Sequence, residues 1–278
     1  MPPRIDLHCH STASDGTLAP AELVRRAAGE GVELLALTDH DTMDGVPEAA
    51  EQARREGIRL LPAAELSVDF RGRTLHVVGL NMDPDTPVLR EGLARLQALR
   101  AARGEAIGRR LEQRCGLEGA TEAARAVAGE AALTRSHYAR ALVAAGHVPD
   151  AEQAFKRYLK RGRPAYVRAQ WVPMAQALDW IREAGGLPVL AHPLGYGFTG
   201  AWLRRVLEAF VEAGGVGLEV VAGRRTQPRM IEQLAGYCHK YSLMGSVGSD
   251  FHHPGNPFVE LGRLPPLPAG IRPVWEAC

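Results

Sequence analysis

Two histidines one residue apart give the first chemical signal of this sequence. His8 and His10 lie in "DLHCHS", directly after a stretch that alternates as a short strand does. Residues two apart in a strand point to the same face, so Asp6, His8 and His10 are predicted on one side and Cys9 on the other. Two imidazoles on one face at a strand end form a natural pair of metal ligands, and the alternation excludes Cys9 from that pair.

Further histidines and acids follow later predicted strands. Parallel α/β folds build their sites at the carboxyl edge of the sheet, so residues at these strand ends are expected to meet. His76, inside "TLHVVG", and Asp15, in the loop after the first strand, are added to them. The candidate metal ligands are His8, His10, Asp15, His40, Glu65, His76, His192, Asp250 and His252.

The types of these ligands indicate which ions they suit. Imidazole and carboxylate without thiolate favour Mn²⁺, with Zn²⁺ or Fe²⁺ as alternatives. Nine ligands are too many for one ion, so two or three divalent ions are predicted, with a carboxylate bridging between them. Clustered ions of this kind promote hydrolysis of phosphoric esters.

The elements that must position these ligands alternate between strand and helix. Residues 1–87 and 166–278 show this alternation, which predicts an α/β domain with a parallel sheet, open or closed into a barrel. Glu65 is expected at the end of its strand. Residues 88–165 carry only helical patterns and are predicted to form a helical insertion that contributes to the substrate site.

Composition excludes several other classes. The chain has 278 residues and a net charge of +1, so it is not built as a general polyanion binder. Its four cysteines are scattered, which argues against a disulfide framework or a cysteine zinc site. The sequence shows no recognisable targeting segment and no stretch of membrane-spanning length. We therefore expect a cytoplasmic protein that binds no membrane and needs no obligate protein partner.

Six short motifs together resemble the PHP family, named for polymerase and histidinol phosphatase. They are "DLHCHSTASDGT", "ALTDHDT", "AAELS", "HVVGL", "LAHP" and "GSDFH". The resemblance implies a distorted (β/α)₇ barrel with a trinuclear metal centre, and all nine ligand positions of the family are filled.

The resemblance also implies how the ions are divided. One ion would be held by His8, His10, Glu65 and Asp250, and a second by Glu65, as the bridge, with His76 and His192. Asp15, His40 and His252 would hold a third. Within this set the predicted catalytic residues are Asp15, His40, Glu65, His192 and His252.

The insertion carries the signal for the substrate. "TRSHYARALV" reads as a helix start, which binds anions readily, and "FKRYLKRGRPAYV" is rich in cations. These segments resemble the PHP branch that removes the 3′-phosphate of nucleoside 3′,5′-bisphosphates and degrades short RNA from its 5′ end. The predicted substrate-binding residues are Arg135, Ser136, His137 and Lys160.

The predicted function is therefore a metal-dependent phosphatase of nucleoside 3′,5′-bisphosphates, with 5′→3′ exonuclease activity on short 5′-phosphorylated RNA. A histidinol phosphatase or another small-molecule phosphatase is the alternative, although it should present an acidic partner for an amine. A polymerase-associated proofreading domain would come tethered to a polymerase. A non-catalytic, metal-stabilised interaction domain is the alternative of another class, and it predicts missing ligands.

Overall fold

The structure is a computed structural model and describes residues 3–223, 226–256 and 258–278. The chain divides into two compact units: residues 1–94 together with 172–278, and residues 95–171. We call the first the barrel unit and the second the insertion unit. The predicted boundaries of the helical insertion lay at residues 88 and 165.

The first half of the barrel unit alternates strands and helices as the hydrophobic pattern indicates. Leu23, Val24 and Ala27 recur at helical spacing and are fully buried, whereas the charged Glu22 and Arg25 of the same helix are exposed. The elements are β1 (Arg4–Asp6), α1 (Pro20–Gly29), β2 (Val32–Leu37), α2 (Val46–Glu56), β3 (Arg59–Phe70) and β4 (Arg73–Leu80).

The insertion unit is helical. It begins within α3 (Pro87–Cys115) and continues through α4 (Ala120–Ala128), α5 (Arg135–Ala144) and α6 (Ala151–Ala154), which leads into a π-helical turn, Phe155–Leu159. Its core is built around the fully buried Tyr138, whose hydroxyl donates to the carbonyl oxygen of Gly104 at 3.0 Å.

The second half of the barrel unit returns to the alternating pattern. Its elements are β5 (Val172–Pro173), α7 (Met174–Glu183), β6 (Leu187–Leu190), α8 (Gly200–Glu212), β7 (Gly217–Ala222), α9 (Pro228–Tyr241) and β8 (Met244–Gly248). Among the described residues, no helix combines the length and apolarity needed to span a membrane.

The strands form one sheet in the order β1-β2-β3-β4-β6-β7-β8, with β5 paired to β3. Its two edges meet, because Leu7 N–H donates to the Val247 carbonyl oxygen at 3.0 Å and Asp250 N–H donates to that of His8 at 2.9 Å. The sheet is thus a nearly closed barrel, and the predicted distorted barrel with a helical insertion is confirmed.

Strand β4 departs from the parallel sheet that the alternation predicts. It runs antiparallel to both β3 and β6. Arg71 and Gly72 connect β3 to β4 with φ values of 51° and 78°, as a tight hairpin turn requires. The prediction that a strand ends at Glu65 was wrong, because β3 continues to Phe70 as the partner of β4.

Candidate metal centre

The candidate ligands meet at one end of the barrel. His8 and His10 follow β1, His192 follows β6, and Asp250 and His252 follow β8. His76 lies within β4, and antiparallel pairing places it beside Ser67. The backbone contributes to this arrangement. His192 and Asp250 adopt left-handed conformations with φ of 28° and 55°, which non-glycine residues keep only when their surroundings impose them.

Glu65 lies at the centre of the cluster and is fully buried. Its two carboxylate oxygens are surrounded by nitrogens of five imidazoles, which come from four elements or loops. The distances from a Glu65 oxygen are 2.8 Å to His40 Nδ1, 2.9 Å to His192 Nε2, 3.0 Å to His76 Nδ1, 3.3 Å to His8 Nε2 and 3.5 Å to His10 Nε2.

Asp15 and Asp250 extend the cluster on either side. Asp15 Oδ1 lies 3.4 Å from His252 Nε2, and Asp250 Oδ1 lies 3.3 Å from His10 Nε2. Side-chain atoms in four overlapping groups lie within 4.8 Å of one another, close enough to share an ion. The groups are His10, Asp15, His40 and His252; His8, His10 and Asp250; His8, Glu65 and His192; and His40, Glu65 and His76.

Burial and neighbouring charges strongly shift the pKa values of side chains in the cluster. Burial alone would raise the pKa of Glu65, but the imidazoles of His76, His8 and His40 outweigh it and hold that pKa well below its usual range. Burial disfavours a charged His252, yet the Asp15 carboxylate raises its pKa to about 10. Burial and the neighbouring His252 lower the pKa of His10 to about 3. The protein thus concentrates charges of both signs in one cluster whose centre, at Glu65, is fully buried.

The polar atoms of the cluster fit divalent ions. Nε2 of His8 and both ring nitrogens of His10 are buried without a hydrogen-bond partner, although buried polar groups are almost always paired. These imidazoles converge on carboxylates, which is the ligand set that Mn²⁺, Zn²⁺ and Fe²⁺ prefer. An ion would satisfy the nitrogens that the protein leaves unpaired.

Glu219, on β7, is a member of the site that the sequence analysis missed. Its carboxylate lies 3.0 Å from Nδ1 of His8 and accepts the backbone N–H of His192. A Cβ at Gly248 would lie 2.5 Å from Glu219 Oε1 and 2.3 Å from the His8 Cβ, so only glycine fits between them. An acid inside the apolar stretch "VGLEVV" was the available signal.

Other buried acids hold the loops that carry the ligands. Asp39 accepts hydrogen bonds from the backbone and hydroxyl of Ser11 and from the hydroxyl of Ser14, at 2.6–2.8 Å. Asp6 accepts the backbone N–H groups of Ser249 and Gly262, both at 2.9 Å. These contacts position the loops after β1 and β8 rather than presenting the acids to the cluster.

Cys9 points away from the cluster, as the strand alternation indicates. Its side chain is fully buried among Leu23, Val24 and other apolar residues, and its Sγ donates to the carbonyl oxygen of Ala36 at 3.2 Å. Burial raises the pKa of the Cys9 thiol well above its usual range, which keeps it from acting as a thiolate ligand.

The four predicted substrate residues all lie in the insertion unit. Arg135 and Ser136 are partly exposed at the first turn of α5, and Lys160 is exposed just after the π-helical turn. His137 is buried, and its Nδ1 accepts the backbone N–H of Thr134 at 3.1 Å while the Thr134 hydroxyl accepts the His137 N–H. His137 therefore helps to cap α5.

Two arginines beside Arg135 were not predicted. The guanidinium carbons of Arg100 and Arg103 lie 5.2 Å and 5.9 Å from the centre of the Trp171 ring. Burial, with the charges of Arg135 and Arg100, lowers the pKa of Arg103 to about 9. Three guanidinium groups thus gather in one part of the insertion unit. They are separated in sequence by up to 35 positions, which hides the cluster from motif analysis.

Comparison with known proteins places the chain in a family. The sequence profile of the PHP domain matches residues 6–165. The chain belongs to the PHP family. It is 44% identical over 276 residues to a 5′-3′ exoribonuclease of Haemophilus influenzae, covering 99% of each chain. It is 40% identical over 273 residues to a 3′,5′-nucleoside bisphosphate phosphatase of Chromobacterium violaceum, covering 98% of this chain and 95% of the relative.

A solved structure is similar in fold over nearly the whole chain. A protein from Bifidobacterium adolescentis, described as a metal-dependent phosphoesterase, superimposes with a TM-score of 0.84 at 28% identity, covering 94% of this chain and 91% of the other. The predictions of a PHP-family chain and of a hydrolase of phosphoric esters are confirmed.

Proposed function

We propose that this PHP protein hydrolyses the 3′-phosphate of nucleoside 3′,5′-bisphosphates to give 5′-mononucleotides, and that it also shortens 5′-phosphorylated RNA from the 5′ end. The observation that carries the proposal is Glu65 and its five imidazoles, two of them with buried nitrogens that lack hydrogen-bond partners. Relatives named for each of the two activities match nearly the full chain.

The ions that we propose are two or three divalent cations, Mn²⁺ foremost, with Zn²⁺ or Fe²⁺ as alternatives. When bound, such ions activate water and stabilise the negative charge that develops on a phosphoryl group. Their ligands would be the nine side chains named from the sequence, with Glu65 shared between ions because it touches most of the others. Glu219 would orient His8, as outer-shell carboxylates orient metal-binding histidines.

The two activities require one geometry. A nucleotide anchored by its 5′-phosphate presents its 3′-phosphoester to the cluster, where the oxygen of water bonds to phosphorus and the bond from phosphorus to O3′ breaks. O3′ leaves with a proton. If the 3′-phosphate is terminal, the products are phosphate and a 5′-mononucleotide. If it links to another nucleotide, the products are a 5′-mononucleotide and a shorter RNA with a new 5′-phosphate.

The residues proposed for the 5′-phosphate are Arg135, Ser136, His137 and Lys160. Arg135 is the strongest of these, because it lies at the start of α5, where backbone N–H groups and the helix dipole favour an anion. His137 is buried and can contribute mainly by fixing this helix start. Arg100 and Arg103 add positive charge around Arg135.

The alternative functions predict other features. A non-catalytic, metal-stabilised domain should lack some ligands, yet all nine candidate positions hold a histidine or an acid. A histidinol phosphatase should offer an acid to a substrate amine, whereas the start of α5 offers Arg135 in its first turn and no acid.

A comparison of three substrates tests the proposal. In the presence of Mn²⁺, the protein should hydrolyse adenosine 3′,5′-bisphosphate with a much higher kcat/KM than histidinol phosphate or p-nitrophenyl phosphate. The organic product should be the 5′-mononucleotide. A preference for histidinol phosphate, or release of the 5′-phosphate, would refute the proposal.

A further inference from the structure

A row of aromatic side chains leads away from the candidate metal centre within the barrel unit. We call Tyr196, Phe198, Trp202 and Phe70 the aromatic row. The Tyr196 ring lies 5.2 Å from the ring of His192, and the next two steps, to Phe198 and to Trp202, measure 5.4 and 5.9 Å between ring centres. Phe70 meets Trp202 edge-on at 6.4 Å. All four rings are partly exposed.

The inner end of the row is fixed to the site. The Tyr196 hydroxyl donates to the carbonyl oxygen of Ala191 at 3.1 Å and accepts the backbone N–H of His76 at 2.8 Å. These two contacts join the ring to His76 of β4 and to Ala191, the residue before His192. The row is therefore continuous with the place where the phosphoester would react.

The outer end of the row is basic. Arg71 and Arg73, at the turn between β3 and β4, are exposed. The guanidinium carbon of Arg71 lies 5.5 Å from the centre of the Phe70 ring, and that of Arg73 lies 6.0 Å from the Trp202 ring. The nearby Asp69 carboxylate accepts the Gly72 N–H and stabilises the turn. Its single negative charge leaves the tip with a net positive charge.

We propose that the aromatic row and its two arginines bind single-stranded RNA on the 3′ side of the scissile linkage. This inference rests on the proposed function, in which the first nucleotide occupies the metal centre and the rest of the strand must leave it. Aromatic side chains with arginines beside them are the combination that binds single strands without sequence preference. The row stacks with bases, and Arg71 and Arg73 contact phosphates. A nucleoside bisphosphate ends at the reacting phosphate and does not reach the outer row.

The test compares a short 5′-phosphorylated RNA with adenosine 3′,5′-bisphosphate in Trp202→Ala. Loss of one stacking ring should raise the KM for RNA by about five- to 160-fold. The kinetics with the bisphosphate should not change. Trp202→Phe keeps a ring and should largely restore the KM. Tyr241→Ala removes a partly exposed ring on α9, outside the row, and should affect neither substrate.

The salt dependence of RNA affinity tests whether the two arginines contact phosphates. The double variant Arg71→Ala/Arg73→Ala should bind RNA with a weaker dependence on salt. The slope of log affinity against log salt concentration should fall in magnitude by about 0.7 for each phosphate that an arginine no longer neutralises. Arg55→Ala, at an exposed position of α2, is the control. Thermal unfolding of every variant should match the wild type.

The outcomes separate this inference from the proposed function. The proposed RNA-binding role of the aromatic row would be refuted if Trp202→Ala changed the kinetics of both substrates equally. It would also be refuted if the KM for RNA stayed the same. In either case, hydrolysis of the bisphosphate would still support the proposed function. If the wild type hydrolyses the bisphosphate but not RNA, the RNA-binding role of the aromatic row is refuted as well. If the wild type hydrolyses neither, the proposed function fails. RNA binding that Trp202→Ala still weakens, measured by fluorescence anisotropy, would then support the row alone.

Discussion

Glu219 lies 3.0 Å from Nδ1 of His8, and this contact decides which nitrogen of the ring faces the cluster. A carboxylate at this position can accept a hydrogen bond from Nδ1, and this arrangement leaves Nε2, on the Glu65 side of the ring, as the nitrogen that can bind a metal. Glu219 is itself 2% exposed, which keeps the pair out of water. The geometry is that of an outer-shell acid orienting a metal-binding histidine.

Replacing this acid should weaken metal binding without removing a ligand. In Glu219→Gln, we expect the affinity for Mn²⁺ to fall about 10- to 100-fold, because the amide neither carries the charge nor selects the same tautomer of His8. Calorimetric titration of the metal-free protein measures this change. Glu33→Gln, at an exposed position of β2, is the matched control. Equal affinities in the three proteins would show that Glu219 serves the fold alone.

Arg135 should matter only for substrates with two phosphates. In Arg135→Ala, removal of a charge-assisted hydrogen bond should reduce kcat/KM for adenosine 3′,5′-bisphosphate by an amount worth about 1.5–3 kcal/mol. Hydrolysis of p-nitrophenyl phosphate should change little, since it lacks a second phosphate. Arg109→Ala, at an exposed position of α3, controls for the loss of a positive charge. Equal reductions on both substrates would assign Arg135 to the fold or to the reacting phosphate.

His137 should act through the helix start and not as a metal ligand. His137→Ala removes the imidazole that accepts the Thr134 N–H, and the free energy of unfolding should fall by about 1 kcal/mol. Denaturant titration measures that change, while elemental analysis of the same variant should find its bound metal unchanged. Loss of metal from His137→Ala would instead make it a further ligand.

The 5′-phosphate should control RNA degradation. An RNA labelled at its 3′ end and carrying a 5′-phosphate should be shortened one nucleotide at a time from the 5′ end, because the phosphate positions the first nucleotide. The same RNA with a 5′-hydroxyl should react far more slowly. Denaturing gels resolve both reactions. Equal rates for the 5′-phosphorylated and 5′-hydroxyl RNAs would contradict this account. Early release of the 3′ label on a mononucleotide would also contradict it, because it would show degradation from the 3′ end.

The sequence pattern located the cluster because most of its candidate ligands follow strand ends. Alternation in residues 4–10 separates His8 and His10 from Cys9, and the structure places the histidines in the cluster and Cys9 in the core. His76 was named on a looser argument, and Glu65 was named as a strand-end residue although it lies inside β3. Their proximity depends on the antiparallel pairing of β3 with β4, and the Arg-Gly connection between those strands was its only local signal.

Other features depend on tertiary packing that sequence spacing does not reveal. Glu219 reaches His8 across more than 200 residues, through the pairing of β7 with β8 and the close approach that Gly248 permits. Trp171 is likewise distant in sequence from Arg100 and Arg103, and Phe70 is distant from the other three rings of the aromatic row; the fold brings each of them together.

The most direct test of the account is the number of ions bound per chain, measured by elemental analysis in the wild type and in Asp250→Ala. Both proteins are equilibrated with Mn²⁺, freed of unbound ion and assayed with adenosine 3′,5′-bisphosphate. We predict two or three ions and rapid hydrolysis in the wild type, whereas the variant should retain little metal and almost no activity. A variant that keeps the full complement of ions, or a metal-free wild type that still hydrolyses the bisphosphate, would contradict the assignment of this cluster as the catalytic metal centre.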